Sequence, residues 1–170
     1  MIKKEVLAAI NEQINAESYS AYMYLSMAAY FEEMGLSGFG HWMKIQYQEE
    51  SAHALKFFNY LTERNGKVAL KAIAQVPVDF NGIVDVFEKT LAHENHVTQL
   101  IDHLMDVAVA ANDHATQSFM KWFVDEQVEE EANVEKILAT LKLINGQGNG
   151  IFMMDREMSM RVFVDPNAAV

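Results

Sequence analysis

The chain has 170 residues, a formal net charge of −11 at pH 7 and no cysteine. Its length suits one domain with a sizeable core, and the lack of cysteine excludes disulfides and thiolate ligands and favours a reducing cytoplasm. The acidic balance argues against nonspecific nucleic-acid binding; it either attracts cations or only aids solubility. We find no signal-peptide pattern and no apolar run that could span a membrane, so neither secretion nor a membrane is expected.

The first two predicted helices, residues 4–33 and 38–65, form an antiparallel pair. Both have apolar residues at steps of three and four, and a reversal at Gly35 is all that separates them. Residues 67–81 then lack a helical period and contain Pro77. An extended segment of this length reaches roughly 50 Å, whereas a 28-residue helix measures roughly 42 Å. This connection can therefore cross the whole length of the bundle.

The second antiparallel pair is predicted at residues 82–111 and 114–145, where Asn112 or Asp113 can cap the fourth helix. Two pairs joined by one long crossover make an all-α four-helix bundle, which we place at residues 1–145. The Gly-rich stretch that follows is expected to be a hinge. Residues 151–160 are predicted to form a short apolar fifth helix that packs into a neighbouring subunit. Residues 146–170, with hinge, helix and tail, are assigned to the same domain.

Each long helix carries one acidic residue near the middle of its apolar stripe. These residues are Glu17, Glu50, Glu94 and Glu130. Carboxylates inside a helix bundle are costly unless a cation neutralises them, so their combination predicts a pair of metal ions. Glu50 also begins a Glu-x-x-His pair with His53, and two side chains at this spacing can reach one ion. Carboxylate and imidazole ligands suit iron, zinc or manganese.

Each of these signals has a plainer explanation when it is taken alone. Glu50 and His53 can be a solvated pair on a helix face, and Glu17 or Glu94 can be partly exposed if the helical phase is misjudged. Gln127 is expected to hydrogen-bond a metal-bound water rather than to ligate. Tyr24 could bond a ligand or supply an electron, but a structural role is favoured, and the same holds for Trp122.

A second acidic group lies at the edge of the core stripes on the second and fourth helices. It consists of Glu49, Glu126 and Glu129. Like charges this close repel, so either solvent surrounds them or a further cation joins them. The remaining histidines do not fall on the stripes at the height of the site, and we expect them to lie at the surface or to face a partner. They are His41, His93, His96, His103 and His114.

Several short motifs together resemble those of the bacterial non-haem ferritins. They cover nearly the whole chain and are highly specific in combination. They are Asn15-Ala16-Glu17, Glu49-Glu50-Ser51-Ala52-His53, His93-Glu94, Glu126-Gln127-Val128-Glu129-Glu130-Glu131 and Gly150-Ile151-Phe152-Met153-Met154-Asp155-Arg156-Glu157.

The resemblance implies a ferritin-like fold and an iron-storage ferroxidase, which oxidises Fe(II) with dioxygen or peroxide and deposits ferric oxyhydroxide. One iron site would use Glu17, Glu50 and His53. The other would use Glu50 as a bridge with Glu94 and Glu130, and Gln127 takes the amide position near the centre. Glu49, Glu126 and Glu129, with Glu130 shared, match a third iron site, and Tyr24 matches the tyrosine beside the centre. The resemblance also implies 24 subunits around a mineral cavity, with the fifth helix at the four-fold axes.

Two departures separate the chain from neighbouring families. Bacterioferritins and rubrerythrins have a second Glu-x-x-His on the fourth helix, where this chain reads Gln127-x-x-Glu130. Bacterioferritins place a haem-ligating methionine where this chain has Ser51, so haem is not expected. Two other hypotheses stay open: a di-iron redox enzyme acting on peroxide or an organic substrate, and a metal-buffering bundle without redox chemistry.

Overall fold

The computed structural model describes residues 2–168, and every regular element within them is a helix. The elements are α1 (Lys4–Glu33), α2 (Ser37–Glu63), α3 (Ile83–Ala110), α4 (His114–Ile144) and the shorter α5 (Gly148–Met158). Helix α1 packs along α2, and α3 packs along α4. The prediction of an all-α four-helix bundle with a fifth helix is confirmed, and the bounds of the long helices agree to within two residues. No helix in this described part is both long and apolar enough to cross a membrane.

The connection between α2 and α3, residues 64–82, runs along α1 from one end of the bundle to the other. Near the start of α1, the Asn11 side chain donates a hydrogen bond to the Lys67 carbonyl at 3.1 Å. Near the end of α1, the Ser26 hydroxyl donates to the Pro77 carbonyl at 2.6 Å. Helix α3 therefore begins where α1 ends, as the length of the predicted crossover requires.

The turn between α3 and α4 is fixed by a cap and an ion pair. Asp113 is the N-cap of α4, and its carboxylate accepts a hydrogen bond from the Thr116 amide at 3.1 Å. The same carboxylate receives both terminal nitrogens of Arg64, at 3.2 and 3.0 Å. Asn112 precedes it in the left-handed conformation, with a φ of 52°. Of the two candidate caps, Asp113 is the one used, and it also ties the end of α2 to the start of α4.

The predicted bounds of α5 were wrong. The helix begins inside the Gly-rich stretch, three residues earlier than expected, and ends at Met158. A Cβ on Gly150 would lie 2.8 Å from the Ile144 side chain, so this glycine serves close packing against α4 rather than a flexible hinge. One apolar side of α5 packs within its own subunit, where Met154 and Met158 are buried against the bundle. The packing of α5 into a neighbouring subunit stays a prediction.

Helix α5 is held against the start of α2 by a close backbone approach. The Asp155 side chain accepts a hydrogen bond from the Phe39 amide at 3.0 Å. A Cβ at Gly38 would overlap the Asp155 carbonyl oxygen at 1.7 Å, so only glycine fits there. Phe152 and Met153 remain 63% and 72% exposed on the opposite side of α5, where they are available to a neighbouring subunit.

The core consists of two apolar clusters with a polar layer between them. One cluster is built around Phe31, Phe39 and Phe87, and the other around Phe57 and Phe123. On every long helix the residues between the two clusters include buried polar groups. They are Glu17 and Ser20 on α1, Gln46, Glu50 and His53 on α2, Thr90 and Glu94 on α3, and Gln127 and Glu130 on α4. The fold therefore brings the predicted acids to one depth of the bundle.

Candidate metal centre

The polar layer contains carboxylates that are almost completely shielded from solvent. The exposed fractions are 1% for Glu17, 2% for Glu50, 2% for His53, 0% for Glu94, 5% for Gln127 and 3% for Glu130. Burial of this degree excludes the solvated-face explanation for the Glu50–His53 pair. It also leaves four carboxylates in a part of the core where ionised groups need a cationic or hydrogen-bonding partner.

Three side chains of the layer lie close enough to hold one ion. Glu17, Glu50 and His53 each place a ligand atom within 4.8 Å of the other two. His53 Nδ1 is 3.6 Å from Glu50 Oε2. Because ligands bind at about 2 Å from such a metal, an ion would draw these atoms slightly closer together. Two carboxylates and one imidazole form a donor set that suits iron, zinc or manganese.

The free oxygens of this group point to a cation. Among the described residues, Glu17 Oε2 and Glu50 Oε2 are buried atoms without a hydrogen-bond partner. The other oxygen of Glu17, Oε1, accepts a hydrogen bond from Gln13 Nε2 at 2.9 Å. An unsatisfied buried acceptor costs about 1–3 kcal/mol, and more if it is charged. A bound cation would remove this cost at both carboxylates.

Glu94 and Glu130 face the same layer but are held by hydrogen bonds from neighbouring helices. Glu94 accepts from the Tyr24 hydroxyl and from Gln127 Nε2, the latter at 3.3 Å. Glu130 Oε2 accepts from Gln46 Nε2 at 3.1 Å. Gln127 thus acts here as a donor to Glu94 and also reaches the Glu94 carbonyl. The sequence analysis assigned no role to Gln46 or Gln13.

Burial and mutual repulsion raise the pKa values of these acids. The pKa of Glu17 lies well above 4.5, first because of burial and then because Glu50 lies nearby. The pKa of Glu50 is raised by burial and then by repulsion from Glu94. The pKa of Glu94 rises to about 8, through burial and the proximity of Glu130. Without a metal the layer therefore holds protons near neutral pH, and a cation can take their place.

Tyr24 is fully buried beside this layer, and its pKa is raised by burial and by the neighbouring Glu94. Its ring meets the His93 ring edge-on, with centroids 6.4 Å apart. His93 also contacts the Ser20 hydroxyl at 2.7 Å, and burial lowers its pKa to about 4. The expectation that His93 lies at the surface was therefore wrong, because the residue next to Glu94 turns back against α1.

Among the remaining histidines, one departs from the expected position and three agree with it. His41 is half-buried because its Nε2 bonds the Arg161 carbonyl at 2.8 Å, so it too departs from the expectation. His96, His103 and His114 are exposed, as expected. The positions of His93 and His41 depend on contacts with other parts of the chain, which the sequence alone does not show, since neither histidine lies on a core stripe of its own helix.

Aromatic rings fix the orientation of the histidine in the centre. The His53 ring contacts Trp122 and Phe123 edge-on, with centroids 5.4 and 5.9 Å apart. These contacts limit rotation of the imidazole, so its ring nitrogens stay directed at the carboxylates on either side. Trp122 thus has a packing role beside the centre, consistent with the structural role that the sequence favoured.

The outer acids, Glu49, Glu126 and Glu129, do not form an equally compact group. Glu126 Oε1 lies 4.0 Å from His53 Nε2, and burial raises the pKa of Glu126. Glu49 is paired with Arg161 from the C-terminal tail. Burial raises the pKa of Glu49 to about 7, although the charge of Arg161 opposes this rise. Glu129 is exposed. No sequence signal indicated that Glu49 pairs with Arg161, which lies 112 residues further along the chain.

Comparison with known proteins agrees with this geometry. The ferritin family model, described as a ferritin-like domain, matches residues 7–144. The chain belongs to the ferritin family. It is similar to the bacterial non-heme ferritin of Bacteroides fragilis (strain 638R), with 45% identity over 95% of this chain and 100% of the relative. The bacterial non-heme ferritin of Campylobacter jejuni is 40% identical over 92% of this chain and 93% of its own length.

The fold is likewise shared with ferritins of known structure. An open-pore ferritin from the hyperthermophilic archaeon Archaeoglobus fulgidus is 43% identical to this chain, with a TM-score of 0.94. That match covers 95% of this chain and 100% of the other chain. The resemblance to bacterial non-haem ferritins that the motifs indicated is confirmed.

Proposed function

We propose that this ferritin stores iron by oxidising Fe(II) to Fe(III) at the buried centre and depositing ferric oxyhydroxide inside a 24-subunit shell. The observation that carries the proposal is the set of buried carboxylates with unpartnered oxygens beside His53. Buried carboxylates of this kind destabilise the metal-free core and are well suited to bind cations. Membership of the ferritin family supports iron as the cation.

The proposed roles of the residues follow from their positions. Glu17, Glu50 and His53 would hold the first Fe(II), and Glu50 would bridge it to a second Fe(II) bound by Glu94 and Glu130. Metal pairs of this kind are held roughly 3.5–4 Å apart. Each Fe(II) gives up one electron, and dioxygen takes both electrons with two protons to form peroxide; peroxide can also serve as the oxidant. Hard carboxylate oxygens favour Fe(III) over Fe(II), so the layer promotes the oxidation.

The residues around the centre position the ligands and exclude bulk water. Gln13, Gln46 and Gln127 each donate a hydrogen bond to one carboxylate, which leaves other oxygens free for iron. Tyr24 donates to Glu94, a contact that fits either positioning of that carboxylate or supply of an electron. We propose that Glu49, Glu126 and Glu129, with Glu130 shared, carry a third ion on its way to the mineral.

Other parts of the proposal follow the sequence. Residues 1–145 would be the bundle domain, with residues 146–170 as part of it. The cytoplasm is proposed as the location on the basis of the cysteine-free composition. Haem is not proposed, since Ser51 stands where a haem-binding relative would supply methionine.

The test compares assembly with oxidation in matched variants. The wild-type protein, Glu50→Ala, His53→Ala and the control His103→Ala would be purified free of metal. Each would receive Fe(II) in air while the ferric absorbance is recorded. His103 is exposed on α3, so its replacement should not alter the rate. Glu50→Ala and His53→Ala should lose the fast phase and oxidise iron at the rate of buffer alone.

Size-exclusion chromatography of the same samples separates the competing functions. A shell of 24 copies of a 19.3 kDa chain supports storage, whereas a small oligomer that oxidises iron favours a di-iron redox enzyme. Wild-type oxidation no faster than buffer would overturn the ferroxidase and favour a metal-buffering bundle. Loss of the shell in Glu50→Ala or His53→Ala would make these residues structural.

A further inference from the structure

The C-terminal segment, residues 159–168, lies along α2 beside the outer acids. We call this segment the C-terminal strap. Besides the side chain of Arg161, three hydrogen bonds attach it to α2. They run from His41 Nε2 to the Arg161 carbonyl at 2.8 Å, from Lys56 Nζ to the Pro166 carbonyl at 3.0 Å and from Asn167 Nδ2 to the Ala52 carbonyl at 2.9 Å. The strap therefore follows the side of α2 that carries Glu49, next to the core-facing Glu50.

The strap places one charged group directly against the outer acids. The Arg161 guanidinium stacks on the Trp42 ring, with its central carbon 4.4 Å from the ring centroid. Its Nη2 pairs with Glu49 Oε2, and both side chains are mostly buried, with 20% and 16% exposed. Glu49 immediately precedes the bridging residue Glu50. A positive charge of the protein is thus fixed beside one of the carboxylates that would carry iron away from the centre.

The contact between Arg161 and Glu49 is one that a metal ion could displace. Arg161 uses only Nη2, and Nη1 is buried without a hydrogen-bond partner among residues 2–168. This is weaker than the two-pronged pair of Arg64 with Asp113 in the same chain. Arg161 and Trp42 also line a cavity of about 370 Å³ between α2, α4 and α5.

A metal ion and Arg161 cannot both use Glu49 fully. An ion that binds both oxygens of Glu49 must replace the guanidinium, and an ion that binds only the other oxygen would still feel repulsion from the arginine charge nearby. The second cation in this region, Lys56, lies over the Trp122 ring at 4.6 Å and is bound to the strap carbonyl of Pro166. Lys56 does not contact Glu49 in the structure, so Arg161 is the residue that competes for this carboxylate.

We propose that Arg161 is a tethered counter-cation, which competes with metal ions for Glu49 and so lowers the affinity of the outer carboxylates. The strap would thereby keep the outer position weak, so that an ion leaving the centre passes through it instead of remaining there. This inference rests on the proposed function, because it concerns the path of the same ions. It assigns a role to the strap, for which the sequence analysis predicted none.

The test uses Zn²⁺ as a redox-inert probe and measures occupancy rather than oxidation. Crystals of the assembled wild type and of Arg161→Gln would be equilibrated with a series of Zn²⁺ concentrations. Anomalous scattering at the zinc edge would give the occupancy beside Glu49 and Glu126 and, separately, at Glu17, Glu50 and His53. Loss of one charged hydrogen bond predicts half-occupancy of the outer position at a roughly tenfold lower Zn²⁺ concentration in Arg161→Gln.

Two further variants make the comparison specific. Arg156→Gln removes the same charge from an exposed position of α5 and should leave both occupancies at wild-type values. Arg161→Lys keeps a positive charge near Glu49 but loses the planar stacking group, so its gain in outer occupancy should be smaller than that of Arg161→Gln. The occupancy at Glu17, Glu50 and His53, together with the shell seen in size-exclusion chromatography, shows whether each variant is folded.

The outcomes distinguish this inference from the proposed function. Equal outer occupancy in the wild type and Arg161→Gln would overturn the inference, and so would the absence of zinc beside Glu49 in both proteins. Zinc at Glu17, Glu50 and His53 in those same crystals would leave the proposed metal centre intact. An equal gain in Arg156→Gln would also overturn the inference, because it would show a general charge effect.

Discussion

Replacement of Glu94 by glutamine should stabilise the metal-free protein, since it removes a carboxylate that is costly to bury. The pKa of Glu94 rises from 4.5 to about 8 in the fold, mainly through burial and then through Glu130. At pH 7 the folded chain therefore retains a proton on Glu94 that the unfolded chain releases. The interval between pH 4.5 and pH 7 corresponds to about 3 kcal/mol of lost stability. Glutamine carries no such cost, and its amide oxygen can still accept the Tyr24 hydroxyl.

The sign of this effect depends on pH in a defined way. A raised pKa contributes stability below pH 4.5 that is lost as the pH rises through about 8. The advantage of Glu94→Gln should therefore be small at pH 5 and should grow to at most about 3 kcal/mol at pH 7. For a chain of this size, 1 kcal/mol shifts the melting temperature by about 2–4 °C, so the variant should melt about 6–12 °C higher at pH 7.

Differential scanning calorimetry of the chelator-treated proteins from pH 5 to pH 8 measures this effect. Glu88→Gln is the matched control, because Glu88 lies on the same helix, is exposed and only approaches Lys142 at 3.7 Å. Subunit interfaces are common to all three proteins and cancel in the comparison. The reasoning is refuted if Glu94→Gln melts below the wild type at pH 7, or if the difference between the two does not grow with pH.

Three further predictions concern the metal, the tyrosine and the turn between α3 and α4. Zn²⁺ should raise the melting temperature of the wild type more at pH 8 than at pH 5.5, because fewer protons must leave the carboxylates at the higher pH. A chelator should reverse the shift, and calorimetry in buffers of different ionisation enthalpy should detect the released protons. Tyr24→Phe removes a donor to Glu94, so calorimetry should show a free energy of unfolding that is lower by about 1–2 kcal/mol, with a larger loss at pH 8 than at pH 5.5. A loss that does not depend on pH would contradict the role of this hydrogen bond. Asp113→Ala removes both the cap of α4 and the partner of Arg64, and urea denaturation should show a loss of about 1–2 kcal/mol with an unchanged rate of iron oxidation.

The four-helix bundle could be predicted because its signals are local. Apolar residues recur at steps of three and four along each long helix, and the breaks carry residues with known conformational preferences. Asp113 caps α4, and Asn65 and Asn145 adopt positive φ values where α2 and α4 end. These preferences depend on neighbours within a few residues, so a single sequence is enough to indicate them.

Helix α5 was misjudged because its determinants lie far away in the chain. Three glycines within residues 146–150 suggest a flexible hinge when they are considered alone. In the structure, Gly150 allows Ile144 to pack closely, and Gly38 of α2 makes room for the Asp155 backbone. A glycine that relieves a close approach has the same local pattern as one that provides flexibility. The distinction requires knowledge of which helices touch.

The acidic layer was accessible to sequence reasoning because it breaks the pattern that surrounds it. A glutamate on an apolar stripe conflicts with the local rule, and Glu17 does so between Ile14 and Ala21. The hydrogen-bond partners were less accessible, because a glutamine near the layer, such as Gln13 or Gln46, has several possible acceptors. The Arg161 contact could not be predicted at all, since nothing local relates the tail to Glu49.

The way in which these carboxylates are bonded argues for a binding site rather than for a structural polar network. A network that stabilises a core satisfies nearly every buried donor and acceptor, because each unmet group is costly at low dielectric. In this layer Gln13 satisfies one oxygen of Glu17, while the other oxygen, one oxygen of Glu50 and the Gln46 amide oxygen lack partners among the described residues. The amides orient the acids and leave acceptors free at the same depth. A bound metal cation would satisfy these acceptors together, so the cost of keeping the arrangement in the metal-free protein is linked to its capacity to bind.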